Sequence, residues 1–151
     1  MDGSQNSVSI NSTSKTSSTK IVAKISSLSA LAADDDPLLR ELMIDVLGHF
    51  GLKCDVVPDG KFAIEKLSSK SYDIIFLDWN MPNIDGLSAA RIIRANPNYD
   101  HIPIIAVTGN SSATDRLTCL KAGMNDFVAK PYSLDAVEKV LLRWLVLNTN
   151  D

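Results

Sequence analysis

Cysteine is scarce in this chain, and positive charge is not gathered anywhere along it. Cys54 and Cys119 are its two cysteines in 151 residues. They are too few and too far apart for a disulfide framework or a zinc site, and they read as reduced thiols of a cytoplasmic protein. Lys and Arg number 15 against 18 Asp and Glu, a formal net charge of −3. With no Lys/Arg cluster, a nucleic-acid-binding face is not expected. No apolar run reaches the roughly 20 residues needed to cross a bilayer, so no membrane partner is expected either. Residues 21–33 (IVAKISSLSALAA) carry a small-residue pattern, Ala30-Leu31-Ala32, like that of a secretory cleavage site. Lys24 and three serines interrupt the stretch, and cleavage would delete the first expected strand, so that reading is rejected.

The remaining sequence falls into two regimes. Half of residues 1–20 are Ser or Thr, with Val8 and Ile10 isolated among them. Such a segment cannot bury enough apolar surface to offset its ordering entropy and is expected to be a disordered tail. Beyond it, five short apolar runs alternate with five amphipathic stretches. The runs are Leu28–Ala33, Lys53–Val57, Asp73–Leu77, Ile102–Val107 and Asp126–Ala129. The last three are continuous rather than alternating, as expected of strands covered on both faces.

The helical stretches have clear punctuation. Asp36-Pro37 supplies an N-cap and a first-turn proline, and an apolar stripe of Leu39, Leu42, Met43, Val46 and Phe50 ends at Gly51. A second helix starts at Asp59 and runs through Leu67. A third covers about Leu87 to Arg94 and stops at Asn96-Pro97. A fourth is capped by Ser111 or Ser112 and ends at Gly123, and a fifth is capped by Ser133, with Leu134, Val137, Leu141 and Leu145 on one face. Strand–helix alternation repeated five times implies an α/β fold with a parallel sheet, because only crossover connections can join parallel neighbours.

In such sheets the functional groups collect beyond the carboxyl ends of the strands. The residues there are Asp34-Asp35-Asp36, Asp78-Trp79-Asn80, Thr108-Gly109-Asn110 and Lys130-Pro131. Three carboxylates on adjacent strand ends repel one another and call for a cation, and hard oxygen ligands suit Mg²⁺. A carboxylate beside a divalent ion, an ammonium and a hydroxyl forms a phosphoryl-acceptor site, with aspartate as nucleophile. Taken singly, each residue has a plainer reading. Asp36 is assigned to capping, Asp34 and Asp35 alone could be the same, Thr108 a turn residue, and Lys130 a solvated charge. Their joint placement at four strand ends favours the chemical reading.

These motifs, DD with Arg40 five residues on, LDWNMPNIDG, IPIIAVTG and AGMNDFVAKP, occur in order along the chain. They resemble the receiver domains of two-component response regulators, and DWNMPNIDG (Asp78–Gly86) is similar to the bacterial chemotaxis regulator. The resemblance covers residues 28–147 and implies a doubly wound, flavodoxin-like (βα)5 fold with strand order 2-1-3-4-5. It implies that Asp78 is the phospho-acceptor. Asp35 and Asp78 would bind Mg²⁺ directly, Asn80 through its backbone carbonyl, and Asp34 largely through water. Lys130 and Thr108 would assist the transfer. Thr108 and Phe127 would form the switch pair that alters the surface of helix four, strand five and helix five.

The same resemblance implies a histidine kinase or histidine phosphotransfer protein as donor and a downstream protein as effector. The domain would be a monomer or a weak phosphorylation-dependent dimer, and a signalling switch rather than a conventional enzyme. It would be either a stand-alone regulator or the receiver of a hybrid kinase. Lys130-Pro131 is expected to be cis on the same ground. Asn80 and Asn110 would border the path of hydrolytic water, giving neither exceptional speed nor exceptional persistence of the phosphate. His49 and His101 are expected to be incidental, Trp79 a reporter of metal binding, and Trp144 a packing or surface residue.

One departure is the alanine- and serine-rich first strand, SLSALAA, which buries less apolar area than a Val/Ile run and puts metal affinity in question. Two other readings are weighed. A haloacid-dehalogenase-like phosphatase would need a second Asp where Asn80 stands. A flavin binder would have its phosphate repelled by the carboxylates.

Overall fold

Short apolar runs separated by capped helices leave little freedom in how this chain folds. The computed structural model describes residues 25–109, 112–130 and 132–147. The expected tail at 1–20, Asn110, Ser111 and the Lys130-Pro131 peptide lie outside the described residues. Five strands, β1 (Ser29–Ala33), β2 (Lys53–Val57), β3 (Ile74–Asp78), β4 (Ile104–Thr108) and β5 (Asp126–Ala129), form one sheet. All neighbours are parallel and the order is β2-β1-β3-β4-β5. The helices are α1 (Pro37–His49), α2 (Gly60–Ser69), α3 (Gly86–Arg94), α4 (Ala113–Lys121) and α5 (Leu134–Leu141). A 3-10 turn spans Pro97–Tyr99, and α5 runs on into a wider π-type turn at Leu142–Leu147.

Each helix begins where its cap demands. The side chains of Asp36, Asp59, Asp85, Ser112 and Ser133 accept backbone N–H groups at the starts of α1 to α5 respectively. These bonds satisfy donors that no helix can satisfy internally. Gly51 and Gly123 take positive φ just after α1 and α4 and end them.

Alternation along the strands divides the interior in two. One core joins Ala30 and Ala32 of β1 and Phe76 of β3 to Met43, Leu47, Val137 and Leu141 of α1 and α5. The other joins Leu31, Ala33, Ile75 and Leu77 to Ala63, Ala89, Ile93 and Cys119 of α2, α3 and α4. Helices therefore cover both faces, and the doubly wound expectation holds.

Three local expectations shift. β3 and β4 each end one residue later than expected, so Asp78 and Thr108 are the last residues of their strands rather than the first beyond them. Leu134 is exposed while Val137, Leu141 and Leu145 are buried, so Leu134 does not share their buried face. Ile25, three residues ahead of the expected start, is completely buried in the first core.

Candidate functional site

Parallel pairing brings the carboxyl ends of β1, β3, β4 and β5 to one edge of the sheet. Asp34 follows β1 directly and is held there by its backbone, its N–H donating to the Val57 carbonyl at 3.1 Å. Asp78 ends β3, opposite Val107 in β4, and Thr108 stands opposite Ala129 in β5. Lys130 follows at once, its N–H bonded to the Thr108 carbonyl at 2.9 Å. Asp34, Asp78 and Thr108 are buried, whereas Asp35 faces solvent.

The charged groups meet as expected. Lys130 Nζ lies 2.8 Å from Asp78 Oδ1 and 3.4 Å from Asp34 Oδ2. One oxygen each from Asp34, Asp35 and Asp78 can be chosen so that all lie within 4.8 Å of one another. Opposite ligands of an octahedral Mg²⁺ stand about 4.2 Å apart, so small rotamer adjustments would close this set on a cation. The donor set is hard oxygen throughout and carries more negative charge than Lys130 offsets, which fits such an ion. Beside it, Asp35, Asn80, Met81, Pro82 and Asp85 line an open cleft of about 430 Å³.

Burial pushes the Asp78 carboxyl above the ordinary carboxylate range. The hydrogen bond and charge of Lys130 oppose that rise, and the charges of Asp34 and Asp35 add to it. Burial works against the charge of Lys130 as well, yet its hydrogen bond with Asp78 and the charges of Asp78 and Asp34 hold its pKa above the usual lysine value. The site therefore holds surplus negative charge that its single ammonium does not neutralise.

Several supporting residues were not assigned roles from sequence. Arg40 Nη1 donates to the Asp34 carbonyl at 2.8 Å and fixes the turn after β1. The Asp36 N–H donates to Asp34 Oδ1 at 2.9 Å, so Asp36 supports the site as well as capping α1. The Tyr132 hydroxyl reaches Asp34 Oδ2 at 3.3 Å. Asp59 receives the Asn83 side-chain amide at 2.7 Å, tying the loop after β3 to the start of α2. Asn83 itself has φ of 66°, a left-handed conformation that asparagine tolerates. Gly86 packs so closely that a Cβ there would sit 2.3 Å from the Asp78 carbonyl oxygen. Arg40, Asn83 and Gly86 lie within the sequence motifs and Asp36 and Asp59 at helix starts; Tyr132 has no such signal, and its reach to Asp34 depends on tertiary contact.

The remaining candidates divide. Phe127 is half-buried beside Ala106, on the same face of the sheet as Thr108, with the Arg116 guanidinium 4.5 Å from its ring centre. Asn80 is exposed at the cleft, and Trp79 packs half-buried on the second core. Trp144 packs on the first core and donates its indole N–H to Asp126 at 2.9 Å. His49 ends α1 and His101 follows the 3-10 turn, so neither enters the site.

Known proteins resemble this chain in sequence and in fold. Transcription factor SKN7 of Saccharomyces cerevisiae is 40% identical over 115 residues, covering 76% of this chain and 18% of that protein. Sensor histidine kinase RcsC of Escherichia coli is 36% identical over 125 residues, covering 83% of this chain and 13% of that one. The chain thus spans less than a fifth of the length of these relatives. Among solved structures, the receiver domain of a sensor histidine kinase from Pseudomonas aeruginosa, with magnesium coordinated in its active-site cleft, is 37% identical. It superposes with a TM-score of 0.72 over 78% of this chain and 97% of that one. Chemotaxis protein CheY4 of Vibrio cholerae is 26% identical, with a TM-score of 0.74 over 78% of this chain and 98% of its own. Among the described residues, no helix is long and apolar enough to cross a membrane. The family model of the response regulator receiver domain matches residues 30–142, and with the parallel five-stranded sheet and its carboxylate edge, this chain belongs to the response regulator receiver domain family.

Proposed function

We propose that this receiver takes a phosphoryl group onto Asp78 from a phosphohistidine, carried by a histidine kinase or a histidine phosphotransfer protein. The observation that carries the proposal is the buried Asp78 carboxylate held 2.8 Å from Lys130 Nζ at the sheet edge. An oxygen of Asp78 attacks phosphorus, the phosphorus–nitrogen bond of the donor breaks, and the imidazole keeps the electron pair. Asp78 becomes an acyl phosphate. Lys130 holds one phosphoryl oxygen and the Thr108 hydroxyl donates to another, so charge is met by groups already in place. Mg²⁺ held by Asp35, Asp78 and the Asn80 carbonyl, with Asp34 acting through water, would supply further neutralisation of the transferring group. The magnesium in the Pseudomonas relative's cleft supports that choice of ion.

Transfer is read out by Thr108 and Phe127. As Thr108 moves toward the phosphoryl group, it vacates space on the face it shares with Phe127. The ring turns inward past Ala106, the small residue opposite it. The surface of α4, β5 and α5 changes with it and alters affinity for a downstream protein. Residues 28–147 form the working unit of this reading. Sequence relatives in both a transcription factor and a sensor kinase leave its wider setting as either a regulator or a hybrid kinase.

Incubation with Mg²⁺ and acetyl phosphate should add one phosphoryl group to the intact protein, seen by mass spectrometry, and Asp78→Asn should abolish the addition. No adduct on the unmodified chain, or an equal adduct on Asp78→Asn, overturns the assignment.

A further inference from the structure

We propose that Tyr132 is a positioning residue of the phosphoryl site, whose hydroxyl satisfies Asp34 and thereby leaves the Lys130 ammonium to Asp78. This rests on the reading of Asp78 as the acceptor.

The argument starts from the donors around Asp34. Its Oδ1 accepts the Asp36 N–H at 2.9 Å. Its Oδ2 has two donors in reach, the Tyr132 hydroxyl at 3.3 Å and Lys130 Nζ at 3.4 Å. Lys130 has two carboxylates to choose between and lies closer to Asp78, at 2.8 Å. A buried carboxylate oxygen left without a donor is costly, so the division of Lys130 between the two acids depends on what else Asp34 has. The Tyr132 ring is anchored against the first core, which presents the hydroxyl from a fixed position. The hydroxyl is a donor at working pH, since an ordinary phenol stays neutral there. As a neutral group it satisfies Asp34 without competing with a cation for the cluster.

Removing only the hydroxyl should have two opposite consequences. Lys130 swings toward Asp34 and away from Asp78, so the acceptor loses the group that receives the phosphoryl oxygen. Asp78, relieved of the ammonium, keeps more uncompensated charge, so a divalent cation that it ligates binds more tightly. A side chain that merely filled space would give losses in both properties when disturbed.

The test is Tyr132→Phe in the full chain, with Mg²⁺ affinity read by tryptophan fluorescence and by the rise in Tm that Mg²⁺ produces. The rate of phosphorylation by acetyl phosphate is measured at saturating Mg²⁺. Mg²⁺ affinity should rise about threefold and phosphorylation should slow about tenfold, as expected for one hydrogen bond to a charged group. In an Asp34→Asn background the same substitution should change neither quantity, since the charge it manages is gone. Both quantities unchanged, both falling together, or the same effect in the Asp34→Asn background would each overturn the role of Tyr132. If the unmodified chain neither binds Mg²⁺ nor takes a phosphoryl group, the acceptor reading fails instead.

Discussion

Asp35 is the exposed member of a triad whose other carboxylates, Asp34 and Asp78, are buried. Its charge helps to raise the Asp78 pKa, which is another way of saying that it opposes ionisation of its neighbour. Without a cation this is a destabilising contact, which the proposed role of Asp35 as a Mg²⁺ ligand would account for. Asp35→Asn should therefore make the metal-free protein more stable, by about 1 kcal/mol given the solvent screening of an exposed charge. Chemical unfolding in EDTA measures this. The same variant should lose most of the stabilisation that Mg²⁺ confers. An Asp35→Asn protein less stable than its parent in EDTA would show that the carboxylate is held by favourable contacts instead. Residues of this kind are legible in sequence as a pattern, DD followed by Arg40, but their energetic sign is not. That sign depends on which carboxylate is buried and which ammonium lies near.

Two side-chain clusters join elements that the sequence keeps apart. Arg94, at the end of α3, donates to the carbonyls of Gly123, Tyr99 and Ile102 and to the Asn125 side chain, at 2.7 to 2.9 Å. It links the third helix, the 3-10 turn and the approach to β5 in one clamp. Arg94→Ala strands these acceptors and should cost about 3 kcal/mol in urea unfolding, with α4 and β5 the first elements to lose hydrogen-exchange protection. At the opposite edge, Asp55 of β2 accepts from Lys70 and from the Tyr72 hydroxyl, at 2.7 and 2.6 Å. The Lys70 and Tyr72 hydrogen bonds lower the Asp55 pKa below its ordinary value. A depressed folded-state pKa stabilises the protein above the unfolded value of about 3.9, and that contribution is lost as pH falls through the folded value. The stability difference between the parent and Asp55→Asn should thus be full at neutral pH and shrink towards acid. A difference that does not vary with pH would refute the linkage. Neither cluster was foreseen from sequence, since the partners of Arg94 and Asp55 lie up to 31 and 17 positions away along the chain.

The first strand shows what the whole molecule adds to a local reading. Its alanines promised little apolar area, yet β1 lies inside the sheet, paired along its length with β2 and β3. Ala32 stands beside Phe76, so a large neighbour fills what the small side chain leaves. The Asp34–Asp35 pair therefore sits on a strand anchored from both sides. A cation bound at its end should stabilise the entire domain, because it binds the folded state alone. At Mg²⁺ one hundred times its Kd the gain should be about 2.7 kcal/mol, read as a rise in Tm that EDTA reverses. A Tm indifferent to Mg²⁺ would contradict the metal site.

Local information was enough for much of this protein. The order of strands and helices, the caps at Asp36, Asp59 and Ser133, the breaks at Gly51 and Gly123, and the identities of Asp34, Asp35, Asp78, Thr108 and Lys130 followed from periodicity, turn chemistry and spaced motifs. Those features are encoded within a few residues of one another, or in the rule that parallel strands present their ends together. Tertiary structure decided the rest: which aspartate is buried, how Lys130 is shared, that Tyr132 reaches Asp34 and that Asn83 reaches Asp59. Such contacts join side chains up to 98 positions apart, and their geometry exists only after the two cores have closed around the sheet.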